Sequence, residues 1–238
     1  MRVLALETSG RNGSIAILNG RLDGTTQTVR QAVLSDGQKT AESLLPALGN
    51  LLDQANWPPR SVQLVSVATG PGSFTGLRMG VTTAKTFAYA ANAKLVGIHT
   101  LAALALPVSS IAGQQESSRR QRGHCRLWTL LDAQRQELFV ACFTQANISY
   151  QVPTTQVVSI PAWLAQLQPG DTAVGPPLEK LASRLPQGVE VVAKKWWQPG
   201  AVAVGQLGVT LASQAMQLNP MQLVPQYYRK SAAEEKAG

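Results

Sequence analysis

The segment Gly70-Pro71-Gly72-Ser73-Phe74-Thr75-Gly76-Leu77-Arg78-Met79-Gly80 constrains the fold more than any other part of the chain. Ahead of it, Val62 to Thr69 is an apolar, β-branched run that reads as a buried strand. Beyond it, Val81 to Ala93 is Ala-rich, free of Pro and reads as helix. A strand, a Gly-Pro-Gly turn and a helix opening on Ser73 make a corner suited to anions, because the first N–H groups of a helix lack intrahelical acceptors. Yet no Lys-Ser or Lys-Thr pair follows at the P-loop spacing, and the three-glycine dinucleotide fingerprint is absent. Gly72, Gly76 and Gly80 instead recur every four residues, which puts Gly76 and Gly80 on one helix face with Thr83 and Phe87 continuing the strip. Each glycine costs roughly 1 kcal/mol against Ala inside a helix, so the strip implies a close approach that compensates. Either the chain packs there on itself, or another subunit does.

At 238 residues, one or two domains can form, and with 45% apolar and 14% charged residues the chain reads as globular with a sparsely charged surface. The net charge of +8 favours acidic partners or nucleic acid without identifying either. Charged and polar residues interrupt the N-terminus, unlike a signal peptide, and apolar stretches such as Thr100 to Val108 are too short to span a bilayer. Cys125 and Cys142 form no C-x-x-C pair. A hairpin would set them nearly opposite each other, while buried free thiols are the ordinary case. The expectation is a reduced, cytoplasmic setting.

Arg2 to Glu7 and Ser14 to Leu18 flank a polar turn and read as a hairpin, with Gln27 to Leu34 as a third strand. Thr40 to Asn56 has helical spacing, with Pro46 expected in its first turn or at a kink. Leu95 to Ile98 reads as strand and Thr100 to Leu106 as helix, ending at a polar break from Pro107 to Gly123. Arg126 to Asp132 and Glu137 to Phe143 then repeat the hairpin, followed by short helices near Pro161 and Leu178, a strand ending at Val174-Gly175, and a helix from Ala201 to Met216. Two halves that each open on a strand, an acid-bearing turn and a strand suggest a duplicated α/β architecture.

Leu4-Ala-Leu-Glu-Thr-Ser9 with Ser14-Ile-Ala-Ile17, Glu42-Ser-Leu-Leu-Pro46, Gly70-Pro-Gly-Ser-Phe-Thr-Gly-Leu-Arg78, Gly97-Ile-His-Thr-Leu-Ala-Ala-Leu104, Leu131-Asp-Ala-Gln-Arg-Gln-Glu137 and Val224-Pro-Gln-Tyr-Tyr-Arg229 resemble the TsaB (YeaZ) family, in family order across nearly the whole chain. The resemblance implies the two-lobed α/β fold of the actin, sugar-kinase and heat-shock ATPase superfamily (ASKHA). It divides the chain into a lobe at 1–106 completed by a returning helix at 201–218, a linker at 107–125, a second lobe at 126–200 and a tail at 219–238. It implies a subunit for synthesis of threonylcarbamoyladenosine in tRNA, without catalytic residues or cofactor of its own. The implied partners are a TsaD-like transferase, a TsaE-like ATPase and tRNA, with self-association when alone. The contact uses helices of the first lobe, here Phe74, Gly76, Arg78, Met79, Gly80, Thr83 and Phe87.

In the superfamily, phosphates sit between one hairpin of each lobe. Glu7, Thr8, Ser9 and Ser14 fall at the first and Asp132 and Arg135 at the second, as a vestigial nucleotide set. Gln136 stands where the family usually has Gly and obstructs close backbone approach. Val174-Gly175-Pro176-Pro177 replaces a glycine-rich adenosine turn, and each proline removes a donor. His99 and His124 lack metal-ligand spacing, Thr40 stands where many relatives have His, and neither His lies in a nucleophile-elbow context. His99, before a helix start, reads as packed or capping. Arg119, Arg120 and Arg122 form either a tRNA phosphate contact or a solvated loop, and Trp196-Trp197 either another exposed contact or an inter-lobe packing pair. The enzyme alternative is a small-molecule kinase of the same superfamily; a third reading is a stand-alone homodimeric RNA-binding module.

Overall fold

The structure is a computed structural model and describes residues 1–21, 23–34, 40–114, 126–144, 153–214 and 222–229. Its elements are β1 (Arg2–Glu7), β2 (Ser14–Gly20), β3 (Thr26–Val33), α1 (Thr40–Gln54), β4 (Leu64–Gly70), α2 (Phe74–Ala91), β5 (Lys94–His99) and α3 (Thr100–Gln114). They continue with β6 (Arg126–Asp132), β7 (Glu137–Thr144), β8 (Gln156–Ser159), α4 (Ile160–Leu164), β9 (Thr172–Val174), α5 (Leu178–Leu181), β10 (Glu190–Val191) and α6 (Ala201–Ser213). Chain contacts separate two compact units, Met1–Thr100 with Gly200–Gly238, and Leu101–Pro199.

The first unit holds a five-stranded sheet in the order β3-β2-β1-β4-β5. β1 pairs antiparallel with β2, from Arg2 opposite Asn19 to Glu7 opposite Ser14, and parallel with β4. Alternation sends Leu4, Leu6, Ile15, Ile17, Val65 and Val67 into one layer, where Leu44, Leu48, Leu51 and Leu52 of α1 and Val81, Ala84 and Ala88 of α2 meet them. The other face takes α6: a Cβ on Gly205 would stand 3.1 Å from Ala5 Cβ, and one on Gly208 would collide with Ser66 Oγ. Covered on both sides, β1 and β4 are buried along nearly their whole length and are mostly apolar, with Glu7, Ser66 and Thr69 as their buried polar residues.

The second unit repeats this plan on a smaller scale. Its sheet runs β10-β9-β6-β7-β8, with β6 antiparallel to β7 and parallel to β9. Around it pack Trp128, Leu130, Leu138, Val140 and Trp163, the last fully buried. Both units read strand, strand, strand, helix, strand, helix, strand, helix, and corresponding strands pair in the same sense. The third helix of each repeat changes sides: α3 beyond Thr100 belongs to the second unit and α6 to the first.

Several expectations need correction. The break placed at Pro107 does not occur there, because α3 continues to Gln114. Leu101, Ala103, Leu104, Ala105 and Val108 are all buried, and their packing holds the helix across the bond that proline forfeits. Pro46 lies in the second turn of α1, with buried Leu44 and Leu48 on either side. Trp197 packs into the second unit's own core and donates from Nε1 to the Val192 carbonyl, 2.6 Å away; Trp196 lies under the Lys195 ammonium. Cys142 is exposed, not a buried thiol; Cys125 lies outside the described residues.

Candidate functional site

The carboxyl ends of β1 and β4 meet the first turn of α2, and here the candidate residues collect. Ser73 caps the helix, its Oγ accepting from Gly76 N at 3.2 Å, while its own N–H donates to Ser9 O at 2.7 Å. Thr8 Oγ1 donates to Gly76 O at 2.8 Å. A Cβ on Gly76 would come within 2.0 Å of Thr8 O, and one on Gly80 within 2.2 Å of Thr8 Oγ1. The glycine strip is therefore where the turn after β1 enters the helix surface. Its assignment as a face for another subunit is corrected for Gly76 and Gly80, which are buried inside the chain. Met79 and Phe87 are half-buried against the same core, and Thr83 is half-buried.

Glu7 ends β1 without any exposed surface. Its Oε1 accepts from Ser9 N at 2.7 Å and from Ser9 Oγ, and its Oε2 is buried with no hydrogen-bond partner among the described residues. Burial raises its pKa to about 7, against the opposing pull of the Ser9 hydrogen bonds. Ser14 Oγ accepts from Ala201 N at 2.9 Å and so serves the uncapped start of α6. Glu7, Thr8, Ser9 and Ser14 are thus brought together, each engaged with its own unit.

Asp132 and Arg135 lie in the second unit, exposed at the β6–β7 turn. Asp132 Oδ1 accepts from Gln134 N at 2.7 Å. Gln134, Arg135 and Gln136 all have left-handed backbones, with φ of 66°, 52° and 66°, each costing roughly 1–2 kcal/mol for a residue with a Cβ. The Gln136 carbonyl accepts from Ile160 N at 3.0 Å, which ties this strained turn to α4. Arg119, Arg120, Arg122 and His124 lie outside the described residues.

Two features were not assigned to the site by the sequence. Asp171, 1% exposed, accepts from Arg126 Nε at 2.9 Å and Nη2 at 2.7 Å, from Trp128 Nε1 at 3.1 Å and from Gln168 N at 2.9 Å. This hydrogen bonding holds the Arg126 guanidinium pKa above its ordinary value. The second is the segment 222–229, which lies over α2, β4 and β5. Tyr227 stacks on Phe74 at 4.5 Å and its hydroxyl accepts from Arg78 Nε at 2.9 Å. The Arg78 guanidinium also sits 3.9 Å over the Phe74 ring. Tyr228 Oη lies 2.9 Å from Nε2 of His99, whose burial lowers its pKa to about 4.

The solvent side of α2 consists of Thr75, Arg78, Thr82, Thr86, Tyr89 and Ala90, with Tyr89 89% exposed. At its far end an open apolar hollow of about 520 Å³ is lined by Pro58, Pro59, Arg60, Phe87, Ala90 and Ala91. Among the described residues there is no group of three His, Cys, Asp or Glu placed to hold a metal ion, and no helix long and apolar enough to cross a membrane.

A sheet of three antiparallel-linked and two parallel strands, made twice with an exchanged third helix, gives the chain the α/β fold that the ASKHA resemblance led one to expect. The family described as "TsaD: tRNA N6-adenosine threonylcarbamoyltransferase" matches residues 35–187. The chain is 27% identical over 176 residues to the tRNA threonylcarbamoyladenosine biosynthesis protein TsaB of Bacillus subtilis (strain 168), covering 73% of this chain and 69% of that protein. It is 26% identical to the Escherichia coli (strain K12) protein of the same name over 59% of this chain, a match that spans just over half, 54%, of that relative. The solved structure of YeaZ from Pseudomonas aeruginosa shares the fold, with a TM-score of 0.68, 22% identity and coverage of 95% of this chain and 99% of that one. The chain belongs to this family, as a member of its TsaB/YeaZ type.

Proposed function

We propose that this chain is a non-catalytic subunit in the synthesis of tRNA threonylcarbamoyladenosine in the cytoplasm. It pairs with a TsaD-like transferase through the exposed face of α2, and a TsaE-like ATPase and tRNA join the assembly. The relatives' names support the pathway. The observation that carries the non-catalytic reading is the use made of the first hairpin. Glu7, Thr8 and Ser9 are 0%, 1% and 4% exposed and are bonded to one another or to α2, which leaves those side chains no free face for a phosphate. A strained turn with a side chain at Gln136 supports the same reading for the second hairpin.

The partner face on this reading is Thr75, Arg78, Thr82, Thr86 and Tyr89, exposed positions that substitution leaves foldable. Light scattering on mixtures with the TsaD-like subunit of the same organism tests it. Wild type is expected to form a stable heterodimer. Thr82→Arg/Thr86→Arg is expected to weaken it roughly 100-fold or more, with Tm unchanged, because two charges buried at an interface lose their hydration. ATP turnover by the isolated chain, or a heterodimer indifferent to the two arginines, would overturn the proposal.

A further inference from the structure

At the carboxyl ends of parallel β4 and β5 lies a crevice floored by Gly70 and Gly97, and the chain's own segment fills it. Leu223 is the one buried side chain of the segment, 7% exposed, and its seat exists because position 97 has no side chain. A Cβ on Gly97 would stand 2.6 Å from both Leu223 Cδ1 and Thr69 Cγ2. Three residues on, Gln226 N donates to Thr69 O at 2.7 Å, as an added strand would. The Gln226 carbonyl passes so close to Gly70 that a Cβ there would lie 2.6 Å from it. Lys85 Nζ donates to Leu223 O at 3.2 Å. Tyr227 and Tyr228 then read Phe74, Arg78 and His99. An apolar anchor, backbone pairing and two aromatic contacts at fixed spacing are the parts of a peptide-recognition site.

We infer that this crevice is a peptide-binding site occupied in cis by Leu223–Tyr228, and that the segment leaves it as a strap while the sheet stays folded. Separability follows from how little the strap buries. Val224 and Tyr227 are 62% and 44% exposed, and Leu223 alone is anchored in the core. An element with so few buried contacts opens at a lower free energy than the sheet beneath it. Docked, Tyr227 covers Phe74 and engages Arg78; released, it leaves the Phe74 ring without its stacking partner and Arg78 Nε without the Tyr227 hydroxyl, on the first turn of α2. The ligand class is a Leu-x-x-x-Tyr-Tyr peptide. This inference does not depend on the identity of any partner at the α2 face.

Hydrogen exchange of the full chain, with a labelled peptide of residues 222–229 added in trans, tests both halves. In wild type the Gln226 amide, which donates to Thr69 O, is expected to exchange at least about 100-fold faster than the amides of β4. Leu223→Ala is expected to speed strap exchange by roughly 30-fold more, with β4 unchanged, and to bind the peptide at least about tenfold tighter than wild type does. Tyr227→Ala, a half-exposed position that leaves the core intact, shifts the strap in the same direction by less. Strap and β4 amides exchanging together in wild type, or accelerating together in both variants, would make the segment part of the global fold and overturn the strap. Failure of the peptide to bind either variant would overturn the site.

Discussion

The two units share a topology and differ in what holds it. In the first, β4 and β5 have seven and six residues, and α1 and α2 fifteen and eighteen. In the second, the corresponding strands have three and two residues, and α4 and α5 five and four. Long elements bury apolar layers on both faces of a sheet; short ones cannot, and the second unit adds the Arg126–Asp171 pair with its Trp128 and Gln168 donors. The hairpins diverge in the same way. Glu7 is swallowed by packing, while Asp132 stays in solvent and shapes a turn. A duplicated plan keeps its strand order when its acids have taken up unrelated work.

Three substitutions put that contrast to the test. The largest effect is expected from Asp171→Ala, which leaves Arg126 partly buried without its counter-ion and Trp128 Nε1 without an acceptor. It should cost about 3–5 kcal/mol, confined to the second unit. Four of the five tryptophans lie there, so fluorescence-detected urea unfolding reads it directly. First-unit amides losing protection by the same amount would show that the two units do not fold independently.

Next is Glu7→Gln, read as a pH profile. The folded pKa of Glu7, about 7, lies above its ordinary 4.5, so the folded state holds the proton longer. Stability is then complete below pH 4.5 and falls as pH rises through 7, by on the order of 3 kcal/mol in total. His99 acts in the opposite sense: lowered to about 4 from 6.5, it contributes stability above pH 6.5 that is lost toward pH 4. The two slopes cancel between pH 4.5 and 6.5 in wild type. In Glu7→Gln the His99 slope should emerge, with the variant gaining on wild type as pH rises; parallel profiles would mean Glu7 ionises normally.

The smallest effect is expected at the second hairpin. Gln136→Gly relieves one left-handed residue and should stabilise the second unit by about 1 kcal/mol, seen as a rise in its unfolding midpoint. A loss would mean that the Gln136 side chain holds the turn.

Much of the plan was legible because alternation and helical spacing are local signals. The hairpin pairs Arg2–Glu7 with Ser14–Gly20 and Arg126–Asp132 with Glu137–Thr144 stand within a residue or two of where the pattern put them. The repeated outline was visible too, though β10, with two residues, is too short to leave a periodicity. At the site, spacing placed Gly76 and Gly80 on one face but could not say what approaches them. The answer, Thr8, is 68 residues away from Gly76. Asp171 escaped for the same reason: within its own segment it looks like one more turn residue, and its partner Arg126 is 45 residues distant. Leu223 gives no sign, by itself, that Gly97 leaves room for it.

The exchanged third helices set an order of assembly during synthesis. The second unit is one continuous stretch, Leu101–Pro199, and can close as soon as it has left the ribosome. The first unit emerges earlier yet waits longer, because the helix that covers the Ala5, Ser66 and Val96 face of its sheet is Ala201–Ser213. Until those residues are made, the nascent sheet carries one bare apolar face, and of the two units the one whose synthesis begins earlier is completed later.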